Sequence, residues 1–242
     1  LDSVVNPVHT QLLNSLDFKI EHERFLGETS LTTLNREALP FKFSDSRSIF
    51  DNLNELNAWI YKNFEFKTRV TDVTTTPSEF LVQGAGVCQD FTHLFLTIAR
   101  LHQIPARYTS GYLHQGNGYK GDSQMHAWAE CYIPEKGWLG FDPANNLIAL
   151  ENHIKVAHGR DYADCVPIKG IIYSNSEKNE TNYVVEVQAR EESEPDVFMD
   201  FEVSEPLPFA QQLAFQSQWQ QQQYQQQQQL RQQQNPLDSS EL

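Results

Sequence analysis

Cys88 occupies a position where a thiol could act as a nucleophile. It follows a glycine-rich turn and precedes a run with helical periodicity, in the stretch GAGVCQDFTHLF that begins at Gly84. The first turn of a helix favours negative charge through its unpaired N–H groups and its dipole, and the thiolate is the nucleophilic form of cysteine. The position predicts either an activated nucleophile or a small residue buried at a helix start.

A nucleophilic thiol also needs an imidazole that accepts its proton and a third group that orients the imidazole. Downstream, HAWAECYI alternates so that His126 lies on one face of a strand and Cys131 lies on the other, with small apolar residues. The apolar face is expected to pack in the core, which makes Cys131 a packing residue. The next strand, GWLGFDP, ends at Asp142, whose carboxylate can face a histidine.

The spacing of these strands raises a geometric difficulty. If a simple hairpin pairs Ile133 with Trp138, His126 lies opposite Asn145. Asp142 would then be about 10 Å away along the strand. We therefore expect a bulge or a longer irregular turn to bring His126 and Asp142 together.

The surrounding elements predict an α+β fold, with helices first and antiparallel strands afterwards. SDSRSIFDNLNELNAWIYKNF has helical spacing of its apolar residues, with Ser44 or Ser46 as the N-cap. TTTPSEFLVQG has the signature of a capping box, which predicts a short helix that leads into the Cys88 turn. After the Cys88 helix, ARYTSGYL, MHAWAECYI and GWLGFDP predict three strands.

The two ends of the chain differ from this central part. LDFKIEHERFL alternates apolar and polar residues, so residues 1–43 are predicted to form a small β region. Residues 191–242 combine an acidic, proline-bearing stretch with a glutamine-rich run, which predicts a linker and a disordered tail. Apolar residues interrupt the glutamines, so a helix or a self-association element is the alternative.

Composition excludes several classes of partner. The net charge is −14, with 18 basic and 32 acidic residues and no basic cluster, so no nucleic-acid partner is expected. No apolar run approaches the roughly 20 residues that span a bilayer, so no membrane association is expected. The chain begins at Leu1, so a processed or truncated leader stays open.

The cysteines indicate the compartment and argue against a metal. Cys88, Cys131 and Cys165 are odd in number and widely spaced, which indicates neither a disulfide framework nor a zinc site. A reducing, cytoplasmic location is the simpler interpretation. Metal ligation by Cys88, His126 and Asp142 is a minor alternative, and no cofactor is predicted.

Several blocks resemble the bacterial transglutaminase-like proteins, a branch of the papain-like thiol enzyme superfamily. The blocks are GVCQDF, RYTSGYL, MHAWAECYIPEKGWLGFDPAN and HIKVAHGRDYADCVPIKG, in that order. The resemblance covers about residues 45–173 and implies a transglutaminase-like catalytic core over residues 44–190. It maps the catalytic triad of the family onto Cys88, His126 and Asp142.

The resemblance also bears on the N-terminal end. The family pattern commonly has a β domain before the core, and residues 1–43 resemble only its second half. Whether residues before Leu1 are missing stays open.

The function that the resemblance implies is acyl transfer through a cysteinyl thioester, with a peptide or protein substrate. Cys88 would attack an amide carbonyl and His126 would protonate the leaving amine. The Cys88 backbone N–H would stabilise the oxyanion, and Gln83 is a candidate second donor. Tyr112 and Trp128 are candidate residues of the substrate cleft.

Three functions remain open from the sequence. Hydrolysis by a cysteine protease or amidase is the leading hypothesis. A protein-glutamine transglutaminase is the first alternative, suggested by the glutamine-rich tail. A non-catalytic binding or scaffold module on the same fold is the second. The oligomeric state cannot be inferred.

Overall fold

The computed structural model describes residues 7–114, 118–167, 185 and 187. The chain divides into two units, Leu1–Ala189 and Arg190–Leu242. The predictions made for residues 191–242 lie outside the described residues.

Six α-helices lie in the described part of the first unit. Three are short and N-terminal, and the other three precede the main sheet. They are α1 (Pro7–Asn14), α2 (Leu16–Glu21), α3 (Glu23–Leu26), α4 (Ile49–Asn63), α5 (Pro77–Gln83) and α6 (Cys88–Leu101). Two 3-10 turns, Arg36–Ala38 and Tyr162–Asp164, complete the helical elements.

Among the described residues, seven strands form two sheets. A two-stranded parallel sheet pairs β1 (Glu65–Phe66) with β2 (Ala85–Gly86). The main sheet is antiparallel, in the order β6-β5-β4-β3-β7. Its strands are β3 (Ala106–Leu113), β4 (His126–Ile133), β5 (Gly137–Asp142), β6 (Leu147–Ala149) and β7 (His153–Gly159).

The core lies between α6 and one face of the main sheet. Every residue of α6 from Gln89 to Leu101 is buried, because the helix packs on β3 and β4 and is covered by α4 and α5. The apolar face of β4, which includes Cys131, contributes to the same core cluster. The α+β prediction is therefore confirmed, and Cys131 is a packing residue as expected.

The two helices predicted before Cys88 are present, with one change of cap. The cap of α4 is Ser48, whose Oγ accepts from the Asp51 N–H, rather than Ser44 or Ser46. The capping box of α5 forms between Thr76 and Glu79 as predicted.

The predicted β region at the N-terminus is wrong where the structure describes it. Residues 16–26 form α2 and α3 instead of a strand. Ser15 caps α2 through its Oγ, and Phe18 stacks on His22 one turn later and contacts Tyr132 of β4. Leu16 is exposed, so the apolar alternation does not mark a buried strand face. Local capping and one aromatic contact outweigh the period-two pattern.

None of the helices that the structure describes has both the length and the apolar character needed to cross a bilayer.

Candidate active site

The turn before Cys88 is built by short-range contacts. After α5, Gly84 adopts φ +71°, a left-handed conformation that ends the helix. The Val87 N–H then donates to Asp90 Oδ2 at 2.8 Å, and Thr71 Oγ1 donates to the same oxygen at 2.7 Å. Gly86 is required here, because a Cβ on it would lie 2.5 Å from Asp90 Oδ2. These contacts fix where α6 begins.

Cys88 is the first residue of α6 and is half-buried. The first N–H groups of a helix have no helical acceptor and point outward with the positive end of the dipole. The predicted position of Cys88 at a helix start is confirmed.

His126 begins β4 and lines the same cavity as Cys88. Its Nε2 lies 2.8 Å from Asp142 Oδ2, and the two side chains are fully buried. Its Nδ1 has no hydrogen-bond partner among the described residues. Because Nε2 is hydrogen-bonded to Asp142, Nδ1 is the nitrogen that can exchange a proton with a group in the cavity.

The charges around His126 favour its protonated form. Burial alone would lower its pKa, but the Asp142 carboxylate and the Cys88 sulfur together raise the pKa of His126 to about 10. The Asp142 carboxylate therefore holds a protonated imidazole in the cavity that also contains the Cys88 sulfur.

Asp142 ends β5 and is surrounded by donors. Its Oδ1 accepts from the Ala144 N–H at 3.0 Å and the Asn145 N–H at 3.2 Å. Its Oδ2 accepts from His126, from Asn145 Nδ2 at 2.9 Å and from His153 Nε2 at 3.2 Å. Burial would raise the pKa of Asp142, but His126, His153 and Asn145 hold it below its usual value. The carboxylate is therefore ionised.

The strand register removes the difficulty raised by the sequence. Ile133 pairs with Gly137 and not with Trp138, so Ala129 pairs with Phe141. Because of this shift of one residue, Asp142 comes two residues before the position opposite His126. The side chains of His126 and Asp142 are then on the same face of the sheet. Diagonal side chains at that offset can touch, and β4 pairs with β5 without interruption, so the expected bulge is absent from this described pair.

Two residues of this neighbourhood, Asn145 and His153, were missed in the sequence as donors to Asp142. Gly121 approaches the imidazole from the loop before β4. A Cβ on Gly121 would lie 2.7 Å from His126 Nδ1, and its φ is +87°. Only the block HIKVAHGRDYADCVPIKG hinted at His153, and no spacing rule links that residue to Asp142.

The other candidate residues do not line the cavity. Gln83 is exposed at the end of α5, so the prediction that it donates to the oxyanion is wrong for this structure. Tyr112 is half-buried on β3 and Trp128 is buried, and neither belongs to the lining. Trp128 instead contacts the rings of His126 and His153, with centroids 6.3 Å and 5.1 Å away.

The cavity beside Cys88 and His126 has a volume of about 390 Å³, within the range typical of small-ligand sites. Its described lining is free of lysine, arginine, aspartate and glutamate. It consists of Phe66, Thr68, Val73, Val87, Cys88, Gln89, Tyr108, Ser110, Gly121, Ser123, Gln124, Met125, His126, Ala127, Tyr162, Cys165 and Pro167.

One group within the described ranges has the composition of a metal site. The ligand atoms of His126, Asp142 and His153 lie within 4.8 Å of one another. The separations of 2.8 Å and 3.2 Å from Asp142 Oδ2 are those of hydrogen bonds, and both imidazoles address the same oxygen. We interpret the group as a hydrogen-bonded cluster.

Comparison with known proteins identifies the family of this domain. Residues 39–143 match the family model of the transglutaminase-like superfamily. An uncharacterized protein of Mycobacterium tuberculosis is 34% identical over 171 residues, which cover 67% of this chain and 54% of that protein. One of Mycobacterium leprae is 38% identical over 133 residues, with coverage of 53% and 47%. The chain spans about half the length of these curated relatives.

A solved structure agrees with this family. The structure is described as a putative cysteine protease from Cytophaga hutchinsonii and matches with a TM-score of 0.55 and 29% identity. The match covers 65% of this chain and 54% of that one. Both findings support a thiol-enzyme-like fold, and residues 39–143 match a transglutaminase-like domain.

Proposed function

We propose that this protein is a thiol-dependent acyl-transfer enzyme that hydrolyses amide or peptide bonds through a thioester on Cys88. One observation carries the proposal. Cys88, at the N-terminus of α6, and His126 line one cavity. The Nε2 of His126 is hydrogen-bonded to the buried Asp142, which leaves Nδ1 available in the cavity. These are the three roles that thiol acyl transfer needs: a nucleophile, an acid–base group and a group that orients it.

The first half of the reaction forms the thioester. The Cys88 thiolate attacks the amide carbonyl, and a C–S bond forms. The oxyanion is stabilised by the Cys88 N–H, which belongs to the first turn of α6. His126 then gives its Nδ1 proton to the amide nitrogen, the C–N bond breaks and the amine leaves.

The second half releases the acid. Neutral His126 takes a proton from water, and the resulting hydroxide attacks the thioester carbonyl. The C–S bond breaks, the carboxylic acid leaves, and the thiolate and imidazolium are restored. Throughout, Asp142 keeps Nε2 protonated and the ring oriented, since an ionised carboxylate can only accept a hydrogen bond.

Alkylation of the native protein with iodoacetamide tests the nucleophile, and Cys131 and Cys165 serve as internal controls. Both are buried, and burial raises the pKa of the Cys165 thiol to about 11. Peptide mapping at pH 7 is expected to show Cys88 labelled about 10-fold or more faster than free cysteine. If Cys88 reacts no faster than free cysteine, the proposal is wrong.

Turnover is then measured with a library of blocked peptide amides, with and without a fluorescent primary amine. We expect release of the amine product and formation of the free acid, and none with Cys88→Ala. Transfer of the acyl group to the fluorescent amine in preference to water would instead favour transglutaminase activity. Full activity in Cys88→Ala would refute the thioester mechanism.

A further inference from the structure

Asp142 is shared by two histidines. His126 Nε2 and His153 Nε2 lie 2.8 Å and 3.2 Å from the same Oδ2 oxygen, although they come from different strands, β4 and β7. The His153 side chain is only 2% exposed. The His153 imidazole is thus a buried donor to the carboxylate that orients His126, and the proposed mechanism has not used it.

The ionisation of Asp142 determines which nitrogen of each imidazole carries a hydrogen. The carboxylate is ionised and has only lone pairs to offer, so each Nε2 must carry a hydrogen. For His126 this leaves Nδ1 for exchange in the cavity. For His153 the remaining nitrogen, Nδ1, is buried and has no hydrogen-bond partner among the described residues. His153 is thus arranged to make one hydrogen bond, and that bond goes to Asp142.

The surroundings hold His153 in this orientation. Its backbone pairs with Leu113 at the start of β7, and its ring packs edge-on against Trp128 at 5.1 Å. Trp128 also stacks on His126. Both imidazoles therefore contact the Trp128 indole, and both donate to Asp142 Oδ2. A change in the hydrogen bond of one imidazole alters the carboxylate that the other imidazole contacts.

We propose that His153 is a positioning residue: by donating to Asp142 Oδ2, it holds the carboxylate in place and takes up part of its negative charge. Less of that charge then acts on His126, which releases its proton to the leaving group more readily. This inference rests on the proposed function for its catalytic consequence, but its effect on His126 can be measured without turnover.

The titratable groups that face this cluster come from four elements. His126 of β4 and His153 of β7 face Asp142 of β5, and Cys88 of α6 faces His126. Cys88→Ala removes the thiol. The pKa of His126 then depends on the Asp142 carboxylate without any contribution from the Cys88 sulfur. The test is made in this background.

The test compares His153→Phe, which keeps an aromatic ring but has no donor, with His153→Gln, which keeps an N–H donor. The pKa of His126 is measured from the NMR shift of its ring protons. We expect His153→Phe to raise that pKa by about 0.5–1 unit, since one neutral hydrogen bond to Asp142 is lost. His153→Gln is expected to stay within about 0.3 units of the parent.

His158→Phe is the matched control, because His158 lies on the same strand but is exposed. It is expected to leave the titration of His126 unchanged. If His153→Phe does not fold, as judged by circular dichroism, His153→Leu replaces it. An unchanged His126 titration in the donor-free variant overturns the proposal, and so does an equal shift in His153→Gln.

The same substitutions in the Cys88-containing protein connect the cluster to catalysis. We expect the alkaline limb of the pH profile of kcat/KM to move to higher pH in His153→Phe. In His153→Gln this limb is expected to return toward that of the parent. A fall in kcat/KM with both limbs unchanged would mark His153 as merely structural and overturn the proposal. If no amide is hydrolysed but the His126 titration shifts as expected, the positioning role stands and the proposed function fails.

Discussion

The two ends of the candidate site are assembled in different ways. At the Cys88 end, α5, β2 and the start of α6 follow one another within residues 77–90, and the bond from Val87 to Asp90 spans three residues. At the Asp142 end, partners arrive from β4 and β7, 16 and 11 residues away in the chain. The nucleophile is placed by a local turn, and the imidazole is placed by the pairing of strands.

This difference affects what each end tolerates. A local turn depends on a few backbone conformations and close approaches, such as the one at Gly86. A strand-built cluster depends on register, since a slip of one residue would turn His126 to the opposite face. The effects of substitutions at the two ends should therefore appear in different measurements.

Among substitutions that keep the Cys88 thiol, the largest effect is expected at the Asp142 end, from Asp142→Asn. The amide can donate to His126 Nε2, which would move the ring hydrogen to Nδ1 and leave no acceptor for the thiol proton. We expect kcat/KM for an amide substrate to fall about 10²- to 10⁴-fold, because the imidazole would then hold the wrong tautomer. A loss smaller than about 10-fold would show that the strand-built end does not control the imidazole.

A smaller effect is expected at the Cys88 end, from Gly86→Ala. The added Cβ would lie 2.5 Å from Asp90 Oδ2 and 2.9 Å from the Phe80 ring, so the Val87–Asp90 contact must shift. We expect the rate of Cys88 alkylation to fall several-fold and the free energy of unfolding in urea to fall by about 1–3 kcal/mol.

Gln83→Ala is the control for this end, because Gln83 is exposed and lies outside the cavity lining. It should match the parent in both measurements. If Gly86→Ala also matches the parent, the local turn does not determine the position of the thiol.

The smallest effect is expected in the dependence of stability on pH. The pKa of His126 is raised to about 10 from 6.5, so its protonation stabilises the folded state fully below pH 6.5. That contribution is lost as the pH rises through about 10. Because Asp142 is needed for the shift, the difference in Tm between the parent and Asp142→Asn should shrink from pH 6.5 to 10. Parallel Tm curves would contradict the coupling.

Local signals in the sequence predicted the helices around Cys88 well. The capping box of Thr76 and Glu79 formed as expected, and the apolar stripe of α6 is buried. The same kind of local reasoning was wrong at residues 16–20, where alternation predicted a strand and α2 formed. A short segment can satisfy both patterns, and the contact of Phe18 with Tyr132 is invisible in the sequence.

For the site, the sequence assigned His126 to one face of its strand and left Asp142 free to face it, but the simple hairpin separated the two residues by about 10 Å along the strand. The offset in the structure follows from the turn at Gly137, where a shift of one pair decides whether the side chains reach each other. Gln83 was a candidate only because it precedes Cys88 closely, and the end of α5 directs it to solvent.

By itself the sequence determined the helix start at Cys88, the core face that buries Cys131, and the strand face that carries His126, because capping and alternation act over a few residues. Only the tertiary structure decided the register that joins His126 to Asp142 and the approach of His153 from β7 to the same oxygen. Those contacts depend on how distant strands pair, and pairing energy is shared across the whole sheet rather than encoded at any one position.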